Sequence, residues 1–235
     1  KGKEYSAFSD KLLFEGEYLN GKRNGYGYYY GYSNTDLIFE GQFLNRLRNG
    51  KGKEYHYGKL IYEGEYLNWK KNGKGIEYKD NEIIFEGLYL NDKKWNGKSK
   101  EFISCCNNDL ILESEYFNGI KLNCNGKEYS SLKILLFEGE YLNDNERHGK
   151  GKEYDEEGHL LFEGEYSNNQ RRRGKEYYFN GKVKFDGEYL FNMKWNGNGY
   201  DINGNKIYDL KDGNGRIKEF TDDGILIFDG EYLNG

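Results

Sequence analysis

Phe39, Gly41 and Phe43 alternate with Glu40, Gln42 and Leu44, and after a polar stretch from Asn45 to Asn49 the alternation resumes, with Gly50 and Gly52 set against Lys51, Lys53 and Tyr55. A period of two with unlike residue sets describes a β-strand that has one aromatic or glycine face and one charged face. Two such runs around a short polar segment predict a β-hairpin. The pattern recurs, opening near Phe14, Phe39, Tyr62, Phe85, Leu112, Phe137, Phe162, Phe185, Tyr208 and Phe228, with a period of about 20 to 27 residues. From opening aromatic to GxG glycine the distance is nearly constant, at Phe14/Gly25, Phe39/Gly50, Tyr62/Gly73, Phe85/Gly97, Phe137/Gly149 and Phe185/Gly197, and only the stretch that follows varies. The hairpin is therefore the structural unit and the connection is not.

No hairpin of this size buries a core alone, so the sequence predicts an array stabilised by neighbouring units: one continuous all-β, single-layer, twisted antiparallel ribbon over 1–235. At about 4.8 Å per strand the ribbon would span on the order of 90 to 100 Å. The first residues, KGKEY, read as the end of a repeat and the last, FDGEYLNG, as the start of one, so the chain reads as a piece of a longer array. The aromatic row is the expected core, each ring worth roughly 1.5 to 3 kcal/mol when buried. Glycine weakens a strand, so its fixed register needs a cause, and the expected one is that rings of the neighbouring strand lie over bare backbone. On the opposite face Glu138 and Glu140 stand beside Lys150 and Lys152, in cross-strand pairs worth about 0.2 to 1 kcal/mol each.

The segments YEGEYLN with NGKGIEY, and FEGEYLNGKRNGYGYY, resemble MORN repeats: an aromatic, a glycine two later, a second aromatic, a loop and then GxG. The resemblance covers nearly the whole chain. It implies consecutive antiparallel hairpins and no catalysis by the repeats, and the MORN family has been linked both to protein partners and to phospholipids. Departures fall in the fifth unit (Leu112, Ser114, Cys124), in the seventh, where Arg172 replaces the first GxG glycine, and in the ninth (Tyr208 to Asp212). Local irregularity is expected there.

A mean hydropathy of −1.03 and 32% charged residues would suit a disordered chain, but 17% aromatics do not. Proline is absent, which suits a sheet that uses every N–H. No run of about 18 apolar residues and no leader pattern occurs, so neither a membrane span nor a secretion signal is expected. Cys105, Cys106 and Cys124 make no disulfide framework, and His56, His148 and His159 lie in different repeats, so no metal is expected and an intracellular setting is, in the cytoplasm or in a cytoskeletal or membrane-associated assembly.

The hairpin loops carry Lys22, Arg23, Arg46, Arg48, Lys70, Lys71, Lys93, Lys94, Arg147, Arg171, Arg172, Arg173 and Lys194, a basic edge, and the connections carry Asp10, Asp36, Asp80, Asp109 and Asp155, an acidic one, within a net charge of −5. Trp69, Trp95 and Trp195 stand beside these cations, either as anchors for a partner or as covers for the next hairpin. Candidate interaction residues are therefore Trp69, Trp95, Trp195, Arg46, Arg48, Arg171, Arg172 and Arg173. No GxSxG, P-loop or HExxH motif occurs, and no helix pattern follows the NGKGK glycines, so neither catalysis nor a cofactor is expected. The expected function is a non-catalytic scaffold that binds a protein or its own copies, with anionic phospholipid at the basic edge as the alternative and nucleic acid disfavoured by the charge.

Overall fold

The computed structural model describes residues 1–31, 36–104, 108–142 and 146–234. It is all-β, with twenty strands and no helix among the described residues. In chain order these are β1 (Gly2–Tyr5), β2 (Leu12–Leu19), β3 (Lys22–Tyr30), β4 (Leu37–Leu44), β5 (Leu47–His56), β6 (Lys59–Leu67), β7 (Lys70–Lys79), β8 (Glu82–Leu90), β9 (Lys93–Ser104) and β10 (Asn108–Phe117). They continue as β11 (Ile120–Ser130), β12 (Leu135–Leu142), β13 (Glu146–Tyr154), β14 (Leu160–Ser167), β15 (Gln170–Tyr177), β16 (Val183–Leu190), β17 (Met193–Tyr200), β18 (Lys206–Leu210), β19 (Gly215–Phe220) and β20 (Leu226–Tyr232). Strands β1 to β18 form one antiparallel sheet of consecutive hairpins, not closed into a barrel, and β19 and β20 pair separately. The chain packs as two compact units, one of Lys1–Glu101 with Ser114–Leu122, the other of Phe102–Glu113 with Asn123–Gly235. The division crosses β9 to β11 and so includes Leu112, Ser114 and Cys124 of the fifth repeat, while Cys105 and Cys106 lie outside the described residues.

Hairpin turns are tighter than the expected loop from Asn45 to Asn49. Asn45 (φ 49°) and Arg46 (φ 74°) make the whole turn, and β5 resumes at Leu47. Asn20–Gly21, Asn68–Trp69, Asn91–Asp92, Asn118–Gly119, Asn168–Asn169 and Phe191–Asn192 repeat the paired positive φ of a type I′ turn, whose twist matches that of the strands it joins. Asparagine leads most of them because its short side chain tolerates the left-handed region. The turns also stack: Arg46 N donates to Arg23 O (2.9 Å), Trp69 N to Arg48 O (3.0 Å), Asp92 N to Lys71 O (2.9 Å) and Gly119 N to Trp95 O (2.8 Å).

The glycines align into rows across the strands. In the first unit Gly16, Gly27, Gly41, Gly52, Gly64, Gly75, Gly87 and Gly97 are successive register partners. In the second the row runs through Gly126, Gly139, Gly151, Gly164, Gly174, Gly187 and Gly197 and ends on Leu210. The ring over each of these hairpin glycine pairs comes from the hairpin's own opening aromatic, which for the GxG glycine belongs to the neighbouring strand, as expected. A Cβ at Gly52 would lie 2.3 Å from the Phe39 ring, and one at Gly41 would lie 2.5 Å from the Gly52 backbone.

At Gly50 and Gly73 the first GxG glycine does something else. Gly50 (φ 97°) sits in a bulge between Gly41/Gly52 and Phe43/Arg48, where Gln42 Oε1 accepts the Lys51 N–H at 2.9 Å. Glu65 accepts the Lys74 N–H in the same way beside Gly73 (2.9 Å). Left-handed backbone, not ring seating, is what requires glycine there.

Nine of the ten opening positions are buried, Phe14 through Tyr208, and eight of them are fully covered. Phe228 departs from the expectation at 39% exposed, its ring lying over Gly230 and edge-on to Tyr232 of its own strand. Five of the rings pack edge-on against the second aromatic of the next hairpin: Phe14 on Phe43 (5.0 Å), Phe39 on Tyr66 (5.3 Å), Tyr62 on Tyr89 (5.3 Å), Phe137 on Tyr166 (5.2 Å) and Phe162 on Tyr189 (5.4 Å). These contacts join units into one core, which no hairpin could supply alone.

Candidate interaction surface

The expected basic edge is divided in two by strand alternation. Arg46, Lys22, Lys70 and Lys93 are exposed at or beside the turns. Arg23, Arg48, Lys71, Lys94, Arg147, Arg171 and Lys194 instead lie in strands, pointing to the core side. Arg48 is buried, and its guanidinium stands 4.2 Å from the Phe39 ring centre while pairing with Glu54. Arg147 covers Phe137 at 4.0 Å and Arg171 covers Phe162 at 4.4 Å. The turn leaves no room for these cations in a loop, and two residues further on the strand points them inward.

In the second unit they form one alternating chain. Arg147 bridges Glu128 (2.6 Å) and Glu153 (3.3 Å), Arg171 bridges Glu153 and Glu176 (3.0 Å), and Lys194 bridges Glu176 (3.1 Å) and Glu219 (3.4 Å). In the first unit Arg23 pairs with Glu4, and Glu77 lies between Lys71 (3.0 Å) and Lys94 (3.2 Å). Burial acts most strongly on Glu128 and Glu77 and pushes their carboxyls up, but hydrogen bonds and charge from Arg147, and from Lys71 and Lys94, outweigh it and hold both below the ordinary value. Glu4 is lowered chiefly by its hydrogen bond to Arg23.

Trp95 and Trp195 are half-buried covers. Their rings lie over Gly119 and Gly213, the second turn residues of the following hairpins, where a Cβ would come to 3.2 Å and 2.5 Å respectively. Trp69 differs, being 42% exposed and occupying the second turn position itself at φ 75°, with its ring 5.0 Å from the Arg48 guanidinium. Arg172 bulges out between β14 and β15 and is exposed, as is Arg173, whereas Arg171 belongs to the ion-pair chain. The eight candidate residues are thus not brought together as one surface.

The outward face carries the regular pattern. In the first unit Lys53 faces Glu40 and Glu63 in register, and Lys51 faces Glu65. Around these charges lies a depression of about 400 Å³ lined by Tyr26, Glu40, Lys51, Lys53, Glu63, Glu65, Lys74 and Ile76 over the glycines of β5 to β7. Tyr55 and Tyr78 brace its walls by donating to Glu40 (2.7 Å) and Glu63 (2.6 Å). Along the turn ends of the same face runs an exposed apolar row, Leu19, Leu44, Leu67, Leu90 and Phe117. Sequence reasoning placed Leu44 on the charged face by its alternation with Glu40 but did not follow the row across the repeats. The signal was the leucine before each turn asparagine.

Asp155, Glu157 and His159 bring ligand atoms within 4.8 Å of one another, but the Asp155 carboxylate is already engaged, by the Glu157 and His159 N–H groups and by the His159 ring (2.9 Å). Among the described residues no helix is long and apolar enough to cross a membrane. No protein-family model matches the chain, and neither does any curated protein at a significant level.

Proposed function

We propose that this chain is a MORN-type, non-catalytic interaction module whose outward sheet face docks protein, as part of an intracellular assembly. One observation carries the reading: the half-buried cations of the repeats are held by carboxylates over the core rings, so the side chains best placed to do chemistry or to grip lipid phosphates are occupied in holding hairpins together. What remains exposed is periodic, with leucines and alternating charges recurring every second strand at about 10 Å. A surface of that kind suits an extended protein contact, with apolar residues supplying area and charges setting register.

Vesicle pelleting tests the reading. With vesicles of phosphatidylserine and phosphatidylcholine the chain should sediment no more than with phosphatidylcholine alone. Salt-sensitive pelleting that disappears with Arg172→Ser and Arg173→Ser, the exposed pair, would replace the protein reading by the lipid one.

A further inference from the structure

The charges around the depression of the first unit are arranged so that the face is complementary to itself. In register, Lys53 stands opposite Glu63 and Lys51 opposite Glu65 across the β5–β6 boundary. Lys53 and Glu63 approach only to 3.7 Å within the chain and are 46% and 34% exposed, so both retain capacity for another partner. A two-fold axis parallel to the strands and passing between β5 and β6 exchanges these two strands. Each lysine of the quartet then faces a glutamate of a second copy at the same height. Further out, the same operation sets Glu15 of β2 against Lys98 of β9, since both belong to the register row of Lys53 and Glu63. An axis along β6 would instead oppose Glu63 to Glu63, Glu65 to Glu65 and Lys51 to Lys74. Like charges thus exclude the neighbouring register.

We infer that the outward face of the first unit is a homotypic interface, on which a second copy of this chain packs face to face, offset so that acidic strands lie over basic ones. The inference rests on the proposed interaction role and names the partner. Sheets stack about 10 Å apart, a gap that one lysine and one glutamate side chain together span. Strands β2 to β9 offer a face of about 34 by 27 Å, or about 900 Å² per copy, which meets the area of a stable interface. Glutamates recur on every second strand of this row, at Glu15, Glu40, Glu63 and Glu86, and the same operation lays them over Lys98, Ile76, Lys53 and Tyr28, so no acidic side chain of the row meets another. Because the axis runs along the strands, turn ends meet turn ends, and Leu44 and Leu67 interleave with their counterparts at the rim. Sheet twist turns the outer strands away from the axis, so the register is best kept at the central quartet.

Sedimentation velocity on the whole chain at about 50 μM, in about 50 mM and about 500 mM salt, gives the first comparison. A dimer that weakens with salt is expected. Lys53→Glu and Glu63→Lys should each raise the dissociation constant about tenfold or more at low salt. Mixing these two variants should restore the dimer, because the mixed contact again pairs opposite charges at both sites. Near-UV circular dichroism of each variant checks its fold, and Lys53→Met, which leaves the Glu63–Tyr78 hydrogen bond in place, stands in if Glu63→Lys does not fold. A monomeric chain at both salts, or a mixture no more dimeric than either variant alone, overturns the homotypic contact. Neither result would produce vesicle pelleting, so the failure of the broader reading remains separately visible.

Discussion

At Trp69 a bulky aromatic holds a left-handed backbone (φ 75°) in a turn position that other hairpins give to glycine, asparagine, aspartate or, at Arg46, arginine. That conformation costs about 1 to 2 kcal/mol for a residue with a Cβ. The ring's stacking on Arg48 at an exposed site returns about 0.5 to 1 kcal/mol. Trp69→Asn should therefore raise stability, by up to about 1 kcal/mol in a urea titration. A loss of that size would show the ring to be a structural cover like Trp95. Strain of this kind points to a surface role, since the fold alone prefers another residue. The opposite case is Phe162, fully buried over the Gly164–Gly174 pair, where Phe162→Ala should cost about 3 to 5 kcal/mol. Glu163→Ala, one residue along on the outward face, should cost under about 1 kcal/mol, because its bond to Tyr177 lies on a face open to water and is only partly buried. Hydrogen exchange in β14 and β15 that responded equally to both would refute the assignment of faces.

The hairpin is a bilayer of functions on a single strand pair. Its core side stacks a ring on a glycine pair and a cation on the ring, and it hands one carboxylate to the next hairpin. Arg171 is the clearest case, bridging Glu153 of one hairpin and Glu176 of its own with only 21% of its side chain exposed. Arg171→Met keeps most of the apolar stem but leaves two half-buried carboxylates without their shared cation, which should cost about 3 kcal/mol. Arg172→Met, in the bulge of β15 and exposed, should change stability by less than about 0.5 kcal/mol. Thermal denaturation of the pair separates the two roles that the run of three arginines hides.

Across each unit these elements add up to a row of half-buried carboxylates whose charge the fold requires. Glu4, Glu77 and Glu128 are held below their ordinary value of 4.5, so each binds its proton less readily folded than unfolded. Their contribution is therefore fully present above pH 4.5 and is lost as the pH falls through the lower folded values. At the other end Tyr18, raised to about 12 by burial and by Glu4, and Tyr78, raised to about 12 by its hydrogen bond to Glu63, contribute stability below pH 10 that is lost between 10 and about 12. Urea midpoints should form a plateau over neutral pH with a fall on each side. A midpoint that rose below pH 4.5 would contradict the ion-pair chain.

The repeat, the two-residue period and the unlike faces were legible in the sequence because they are local: a strand alternates whatever surrounds it, and aromatic residues at fixed register have to be buried. So were the all-β class, the hairpin as unit and nine of the ten core positions. Which cations reach solvent was not legible. Arg46 and Arg48 are two residues apart in one polar stretch, and only the two-residue turn, with the strand direction it imposes, sends one outward and the other over Phe39. The two glycines of GxG likewise look alike in sequence, yet Gly50 answers to a bulge and Gly52 to a ring. Register between hairpins is the deciding quantity. It arises from pairing residues of successive strands, 3 to 16 positions apart across the β5–β6 boundary, and it places Lys53 beside Glu63 and sets the leucines in a row, so the surface this chain offers is a property of tertiary pairing.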